Sequence, residues 1–182
     1  MKKFFLILLL IIFANKTSAT IKENIISKLK NTNNISFNFE QNINGKIESG
    51  KCIVKYPKKI YCDYKPSGKK LLVSNGKSLV IKTETSYYRY PLKKTPLNFI
   101  LDKNYLLNRI QEIDTRIINN KFININFFEN DNEINIFFNK ENFNLIGWQT
   151  VDIYQNLSIT FLSSIKNNQK IKKNIFILPS QN

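Results

Sequence analysis

Two cysteines are the residues of this 182-residue sequence whose type and spacing most directly predict chemistry, namely a disulfide bond. Cys52 and Cys62 lie ten residues apart, and Pro57 marks a hairpin turn between them. If residues 56–58 form the turn, the cysteines face each other with Cα atoms about 4.5 to 5.5 Å apart, which suits a disulfide. If residues 57–59 form it, the cysteines lie diagonally on one face. The alternative to a bridge is a pair of buried thiols.

Other groups that could catalyse a reaction or bind a metal are scarce. The sequence contains no His, which excludes Ser-His-Asp and Cys-His catalysis and His-ligated zinc. No two of its 13 Asp and Glu residues have a spacing that demands a catalytic acid–base pair. Its five Gly residues stand singly, so there is no glycine-rich loop to bind a phosphate. We therefore expect no enzymatic activity, no cofactor and no metal site.

The formal net charge of +15 is compatible with binding to a polyanion, because clustered Lys and Arg release counterions from nucleic acids or membranes. However, Ile, Asn and Lys are the commonest residues, at 28, 27 and 25 copies, which indicates a coding bias. Only three of the cations are Arg, the residue that phosphate and base recognition favours. We expect no nucleic-acid partner.

The first 19 residues have the pattern of a secretory signal peptide. Lys2 and Lys3 precede an apolar run at residues 4–13, and small residues end at Ala19. The run is too short for a membrane-spanning helix, which needs about 20 residues. Cleavage near Ala19 leaves residues 20–182 as a single exported domain in the periplasm. It also lowers the formal charge from +15 to +12 by removing Lys2, Lys3 and Lys16.

The mature chain begins with an amphipathic pattern and continues with alternating strands. Apolar residues at helical spacing predict a helix over residues 21–30, with Thr20 and Glu23 as a capping box. Alternation in ISFNFEQ predicts the first strand, with Ile35, Phe37 and Phe39 on one face. The pair Asn75-Gly76 predicts a hairpin between two later strands.

A helical insertion divides two blocks of strands. Residues 95–108 break the alternation, and Thr95 and Asp102 fit as caps of two short helices. A second block of short strands follows and ends with NIFIL at residues 174–178. We predict a mainly β fold with some helix (α+β), in which ten or eleven antiparallel strands curl into an incomplete barrel covered by helices.

Several short strings in this order resemble the outer-membrane lipoprotein carrier family of Gram-negative bacteria, LolA. The resemblance extends over most of the mature chain and is most specific in residues 36–101. It rests on SFNFEQ at 36–41, SGK at 49–51, VKYP at 54–57, LLVSNGKSL at 71–79 and the segment 92–101 with Thr95-Pro96.

The resemblance implies an eleven-stranded incomplete barrel with a helical lid over a hydrophobic cavity. It also implies a monomeric carrier that takes acylated lipoproteins from an inner-membrane ABC-type transporter to an outer-membrane acceptor. By position in the motifs, the lid residues would be Leu97, Ile100 and Leu101. The residues of the lipid-binding wall would be Ile35, Phe37, Phe39, Ile60, Cys62, Tyr64 and Leu72.

One departure from the family concerns the lid. Members of the family usually have Arg immediately before the proline of the VKxP string, where it is thought to hold the lid closed. Here that latch position is Tyr56, which can donate one hydrogen bond but is uncharged at neutral pH. The resemblance therefore predicts a lid that is held differently.

Three other functions are compatible with the sequence. An outer-membrane lipoprotein acceptor of the same fold would be anchored to the membrane, but no Cys lies at the predicted cleavage site. Another half-barrel lipid-binding or sensor module is a second alternative, and a sensor or regulatory module would require a second domain. A basic exported protein that binds polyanions would show steep salt dependence.

Overall fold

The structure, a computed structural model, describes residues 20–65, 69–130, 132–151 and 154–181. The predicted signal peptide, residues 1–19 with its cleavage site near Ala19, lies outside the described residues. Within the described part of the chain, no helix is long and apolar enough to cross a lipid bilayer.

The described residues include eleven strands that form one antiparallel sheet. Their order across the sheet is β6-β5-β4-β3-β2-β1-β11-β10-β9-β8-β7, so β6 and β7 are its edges and it curls without closing. The predicted fold class is confirmed. The strands are β1 (Asn34–Ile43), β2 (Lys46–Lys55), β3 (Lys59–Lys65), β4 (Leu71–Asn75), β5 (Ser78–Lys82), β6 (Tyr87–Pro91), β7 (Arg116–Ile118), β8 (Phe122–Glu129), β9 (Asn132–Asn139), β10 (Leu145–Val151) and β11 (Leu157–Asn167).

Two meanders, β1 to β6 and β7 to β11, join at the centre of the sheet through the antiparallel pairing of β1 with β11. Alternation sets the face of each side chain. In β1, Ile35, Phe37 and Phe39 are buried while the residues between them are less so. The sheet therefore has an apolar concave face and a more polar convex face.

Two elements differ from the prediction. Residues 174–178, NIFIL, form turns rather than a strand, and Ile177 is exposed. Both sides of the preceding strand β11 are already paired, with β1 and β10, so the sheet has no free edge beside it. The short edge strand β7 was not predicted, because three residues are too few to show alternation.

The sequence predicts three N-cap residues, and the structure confirms two of them. Thr20 and Glu23 form the capping box, with hydrogen bonds of 3.2 and 2.7 Å. Asp102 accepts a 3.2 Å hydrogen bond from the first turn of its helix. The prediction that Thr95 is an N-cap is wrong. Its hydroxyl donates to the Leu92 carbonyl oxygen (2.9 Å), and the helix starts at Leu97 with Pro96 as its N-cap. The helices are α1 (Ile21–Lys30), a 3₁₀ turn (Leu92–Lys94), α2 (Leu97–Ile100) and α3 (Lys103–Glu112).

The helical segment, residues 92–112, connects the edge strands β6 and β7. Together with α1 it packs onto the concave face and forms the hydrophobic core. The helices contribute Ile25, Leu29, Leu106 and Ile110 to this core, against inner residues of both meanders such as Ile123. Burial of this apolar surface supplies the main stabilising term, at about 25 cal/mol per Å².

Cys52 and Cys62 form a disulfide across the β2–β3 hairpin, with Cα atoms 4.1 Å apart. The hairpin register places them directly opposite each other, with residues 56–58 as the turn. This is the first of the two registers that the sequence allows. The bridge lies in the core, since both cysteines are buried.

Gly50 lies where three segments approach closely. A Cβ atom there would overlap the backbone oxygen of Asp63 and lie 2.7 Å from Cε1 of Phe39. The ring of Phe39 lies beside Gly50 and packs edge-to-face against Tyr64, with ring centroids 4.8 Å apart. The missing side chain at position 50 thus makes room for this aromatic pair.

We expect Gly50→Ala to lower the melting temperature by about 2 to 12 °C. Overpacking costs about 1 to 3 kcal/mol, and each kcal/mol shifts melting by about 2 to 4 °C in a domain of this size. Thermal unfolding followed by circular dichroism measures the effect. Ser49→Ala, one residue earlier on the same strand, is the control, and equal melting temperatures of the two variants would contradict the close packing.

Candidate functional site

A pocket of 520 Å³ opens on the concave side of the sheet. This volume lies in the range of about 300 to 1,000 Å³ that is usual for small-molecule sites. The walls come from the inner faces of strands in both meanders and from the start of α2. The apolar lining residues include Ile43, Leu72, Leu79, Ile81, Leu97 and Trp148.

The pocket occupies the part of the concave face that the helices leave uncovered. On β1, Ile35 and Phe37 belong to the core, whereas Gln41 and Ile43, further along the same face, line the pocket. Tyr64 belongs to both groups. The aromatic pair at Tyr64 therefore marks the boundary between the filled and the open part of the concave face.

A hydrogen-bonded polar group lies on one wall. The Gln41 side-chain amide donates to the hydroxyls of Ser158 (2.8 Å) and Thr160 (3.3 Å), and its oxygen accepts from the Tyr64 hydroxyl (3.3 Å). Burial, and to a lesser degree the nearby Glu48, raise the pKa of Tyr64 above its ordinary value. Tyr64 therefore stays protonated at neutral pH and remains a donor to Gln41.

Among the described residues, the pocket lining contains three charged ones, which form a cluster. Glu48 is only 8% exposed and accepts a hydrogen bond from the Lys70 ammonium. The Lys46 ammonium lies 3.4 Å from the other carboxylate oxygen of Glu48. Lys70 Nζ also lies 4.2 Å from the centre of the Tyr64 ring, a cation–π contact. The cluster has a net charge of one positive unit.

Tyrosines from both meanders meet at the mouth of the pocket. The rings of Tyr88 on edge strand β6 and Tyr154 before β11 pack edge-to-face, with centroids 6.5 Å apart. The hydroxyls of Tyr90 and Tyr154 lie 3.2 Å apart. These contacts connect the N-terminal meander to the β10–β11 connection.

The structure divides the predicted lipid-binding wall between two places. Tyr64 and Leu72 line the pocket. The other residues assigned to the wall are buried in the core beneath the helices; these are Ile35, Phe37, Phe39, Ile60 and Cys62. Of the predicted lid residues, Leu97 lines the pocket, whereas Ile100 and Leu101 are each 1% exposed and pack into the core.

Much of the pocket was not predicted from the sequence. Leu79 and Ile81 alternate toward the pocket on β5, and Trp148 reaches it from β10. The sequence of β5, SLVIK, has three consecutive apolar residues, so it does not indicate which face turns toward the pocket. Nothing local indicates that Trp148 faces the same space, because that proximity depends on the pairing of β1 with β11.

Lys58 makes two polar contacts with the helical segment at the predicted latch loop. Its backbone amide donates to the Leu101 carbonyl oxygen (2.7 Å), and its ammonium lies 3.1 Å from the Asp102 carboxylate. Tyr56 instead packs its half-buried ring against the core, and burial raises the pKa of its hydroxyl above the ordinary value. The start of α3 is thus held by the residue after the proline.

A second polar contact fixes the other end of α3. The guanidinium of Arg109 and the hydroxyl of Tyr105 both donate hydrogen bonds to the Glu129 carboxylate on β8. These hydrogen bonds, from Tyr105 first and Arg109 second, hold the pKa of Glu129 below its ordinary value. All the charged groups of these two contacts are partly exposed, so each contact contributes only modestly to stability.

A further concavity, of 650 Å³, lies on the convex face of β7 to β10. Its lining is mainly polar and includes Arg116, Glu133 and the hydrogen-bonded amides of Asn124, Asn126 and Asn135. Such a surface does not suit an acyl chain. Within the described part of the chain, no three His, Cys, Asp or Glu residues are grouped as metal ligands would be.

A family model described as outer membrane lipoprotein carrier protein LolA matches residues 30–178. No curated protein sequence matches the chain. Among solved structures, an uncharacterized conserved protein from Thermus thermophilus is 7% identical, with 88% of this chain and 93% of that chain covered and a TM-score of 0.50. LprF from Mycobacterium bovis is 14% identical, with 84% and 94% covered and a TM-score of 0.45. A LolA superfamily protein from Nitrosomonas europaea is 9% identical, with 87% and 98% covered and a TM-score of 0.44.

We expect Lys58→Met to loosen the helical segment without unfolding the protein. The variant removes the ion pair with Asp102 and keeps the backbone hydrogen bond to Leu101. Amide hydrogen exchange in residues 97–106 should become about two- to fivefold faster, as the loss of one partly exposed ion pair implies. Lys55→Met, on the other side of the same turn, is the control. Unchanged exchange in Lys58→Met would show that the ion pair does not hold the segment.

Proposed function

Because the chain belongs to the family of outer membrane lipoprotein carrier proteins, LolA, we propose that it carries lipoproteins by binding their acyl chains in the concave-face pocket. The observation that carries the proposal is the largely apolar pocket of 520 Å³, left open where the helices end. Its position beside the helical segment supports the predicted role of that segment as a lid.

The physical chemistry of the pocket suits reversible binding of lipid. An anchor with three acyl chains has about 45 methylenes, and each contributes about 0.8 kcal/mol on leaving water. The chains need no strong polar anchor to leave water, but they must remain releasable. Apolar wall residues such as Leu72, Leu79 and Ile81 make many weak dispersion contacts with a chain. Because each contact is weak, the chain can leave the pocket without breaking any one strong interaction.

In this proposal, movement of the lid exposes more of the concave face to the anchor. The open pocket, of 520 Å³, has the size of a site for a small molecule, whereas an anchor with three acyl chains must bury about 45 methylenes. The acyl chains then displace Ile100 and Leu101 from the core and reach Phe37, Phe39 and the disulfide.

The proposed carrier works in the periplasm as a monomer. Residues 1–19 are removed as a signal peptide near Ala19, and residues 20–182 form one domain. The carrier receives its lipoprotein from an inner-membrane ABC-type transporter and delivers it to an outer-membrane acceptor. The modest contacts of Asp102 with Lys58 and of Arg109 with Glu129, which hold the two ends of α3, favour a lid that opens without global unfolding.

The mature protein should release triacylated lipoprotein from inner-membrane vesicles that contain the cognate transporter and ATP. The measurement is the amount of lipoprotein found in a soluble one-to-one complex after the vesicles are sedimented. A mature protein that folds but leaves all lipoprotein in the vesicles would overturn the carrier function.

We expect Leu72→Glu to reduce this soluble complex at least tenfold, because a carboxylate in the pocket opposes burial of acyl chains. Leu71→Glu is the matched control. Leu71 neighbours Leu72 on β4, is similarly half-buried, and alternates to the other face of the sheet. Equal loss in both variants, at equal melting temperature, would mean that the pocket is not the binding site.

A further inference from the structure

We propose that the same pocket binds an amphiphile with one acyl chain and an anionic head group, a carboxylate or a phosphate. The head group contacts Lys46 and Lys70, and the chain lies along Leu72 and Trp148. The inference rests on the proposed function in that the apolar pocket must accept an acyl chain. It adds a ligand class that the carrier function alone does not require.

The charges of the pocket lining favour an anion. The side chain of Glu48 is 7% exposed and that of Lys46 is 77% exposed, so the carboxylate is inside and one ammonium faces the mouth. The side chain of Lys70 is 20% exposed, which is between the exposures of Glu48 and Lys46. It contacts both the Glu48 carboxylate and the Tyr64 ring. Within this cluster, one carboxylate and two ammonium groups give a net charge of one positive unit.

An anionic head group would complete this cluster. Each ammonium has three N–H donors, so Lys46 and Lys70 can donate to Glu48 and to a second anion at once. Glu48 then holds both lysines in place. A neutral head group leaves the positive charge unmatched, and a cationic head group meets a net repulsion.

The head-group site and the chain site are adjacent. Lys70 immediately precedes β4, and Leu72, two residues later, faces the pocket. Tyr64, whose ring contacts Lys70 and whose hydroxyl donates to Gln41, lines the same pocket as Leu72. The volume of 520 Å³ lies in the range of about 300 to 1,000 Å³ that is usual for small-molecule sites. A single-chain amphiphile can therefore place its head group and its chain in this one pocket.

The single tryptophan provides a direct readout. The sequence contains one Trp, Trp148, and it lines the pocket. Bromine atoms on a bound hexadecyl chain quench tryptophan fluorescence on contact. Titration of the mature protein with the brominated carboxylic acid, alcohol and trimethylammonium salt measures the affinity for each head group on the same chain. We expect the acid to bind about tenfold more tightly than the alcohol, as for a charge-assisted contact.

Two variants should change the affinity for the acid in opposite directions. Glu48→Gln keeps a hydrogen-bond acceptor for Lys70 and adds one net positive charge, so the acid should bind about threefold to tenfold more tightly. Lys46→Met removes the mouth ammonium and should weaken binding of the acid by a similar factor. Binding of the alcohol should stay within about twofold in both variants. Lys51→Met, an exposed site further along β2, is the matched control.

The tighter binding expected for Glu48→Gln cannot arise from misfolding. Equal affinities of the mature protein for acid and alcohol, or an unchanged affinity for the acid in both variants, would overturn the head-group site while leaving the apolar pocket intact. Failure of all three probes to quench Trp148 would instead reject the pocket as an acyl-chain site, and with it both this inference and the proposed binding site for lipoproteins.

Discussion

An apolar concave face that does not close on itself is the constraint on which the rest of the structure depends. A closed barrel would bury its inner residues against one another. Among the described strands, however, the two meanders pair only at β1 and β11, and β6 and β7 stay as edges. The edges are protected from further pairing because β7 has only three residues and β6 ends in Pro91. The inner face must then be covered by helices, and α1 with the helical segment at residues 92–112 does so over part of its area.

Core and pocket are consequently two portions of one surface. Where α1 and α3 lie, residues such as Phe37 and Ile123 are packed; where the helices end, the same face lines an open pocket. The pair of Phe39 and Tyr64, for which Gly50 makes room, separates the two portions. In the proposed mechanism an acyl chain and the helices compete for this surface. Binding of lipid then costs the packing of the helices against this surface. That cost makes the net affinity for lipid lower, so the cargo can be released.

Sequence alternation predicted the face of a side chain far better than its position along the sheet. Ile35, Phe37 and Phe39 point inward as the pattern of β1 requires, but the pocket lies further along, at Gln41 and Ile43. A period of two carries no information about which part of a strand a helix will cover. The same limit explains the two errors in the strand assignment. Residues 174–178 are rich in strand-forming apolar residues but have no free strand beside them, and residues 116–118 are too few to alternate yet occupy a free edge.

The sequence by itself determined the local structure: the strands, the Asn75-Gly76 hairpin, the capping box at Thr20 and the cap at Asp102. It also determined the family, because the motifs that carry the resemblance are contiguous strings. These features depend on neighbours in the chain, whose geometry is fixed by covalent connection. The tertiary structure alone decided that Lys46, Glu48 and Lys70 share a pocket with Trp148, and that Lys58 rather than Tyr56 makes the polar contact with the helical segment. Such contacts depend on sheet order, strand register and curvature, which arise from long-range packing and are not encoded in any short segment.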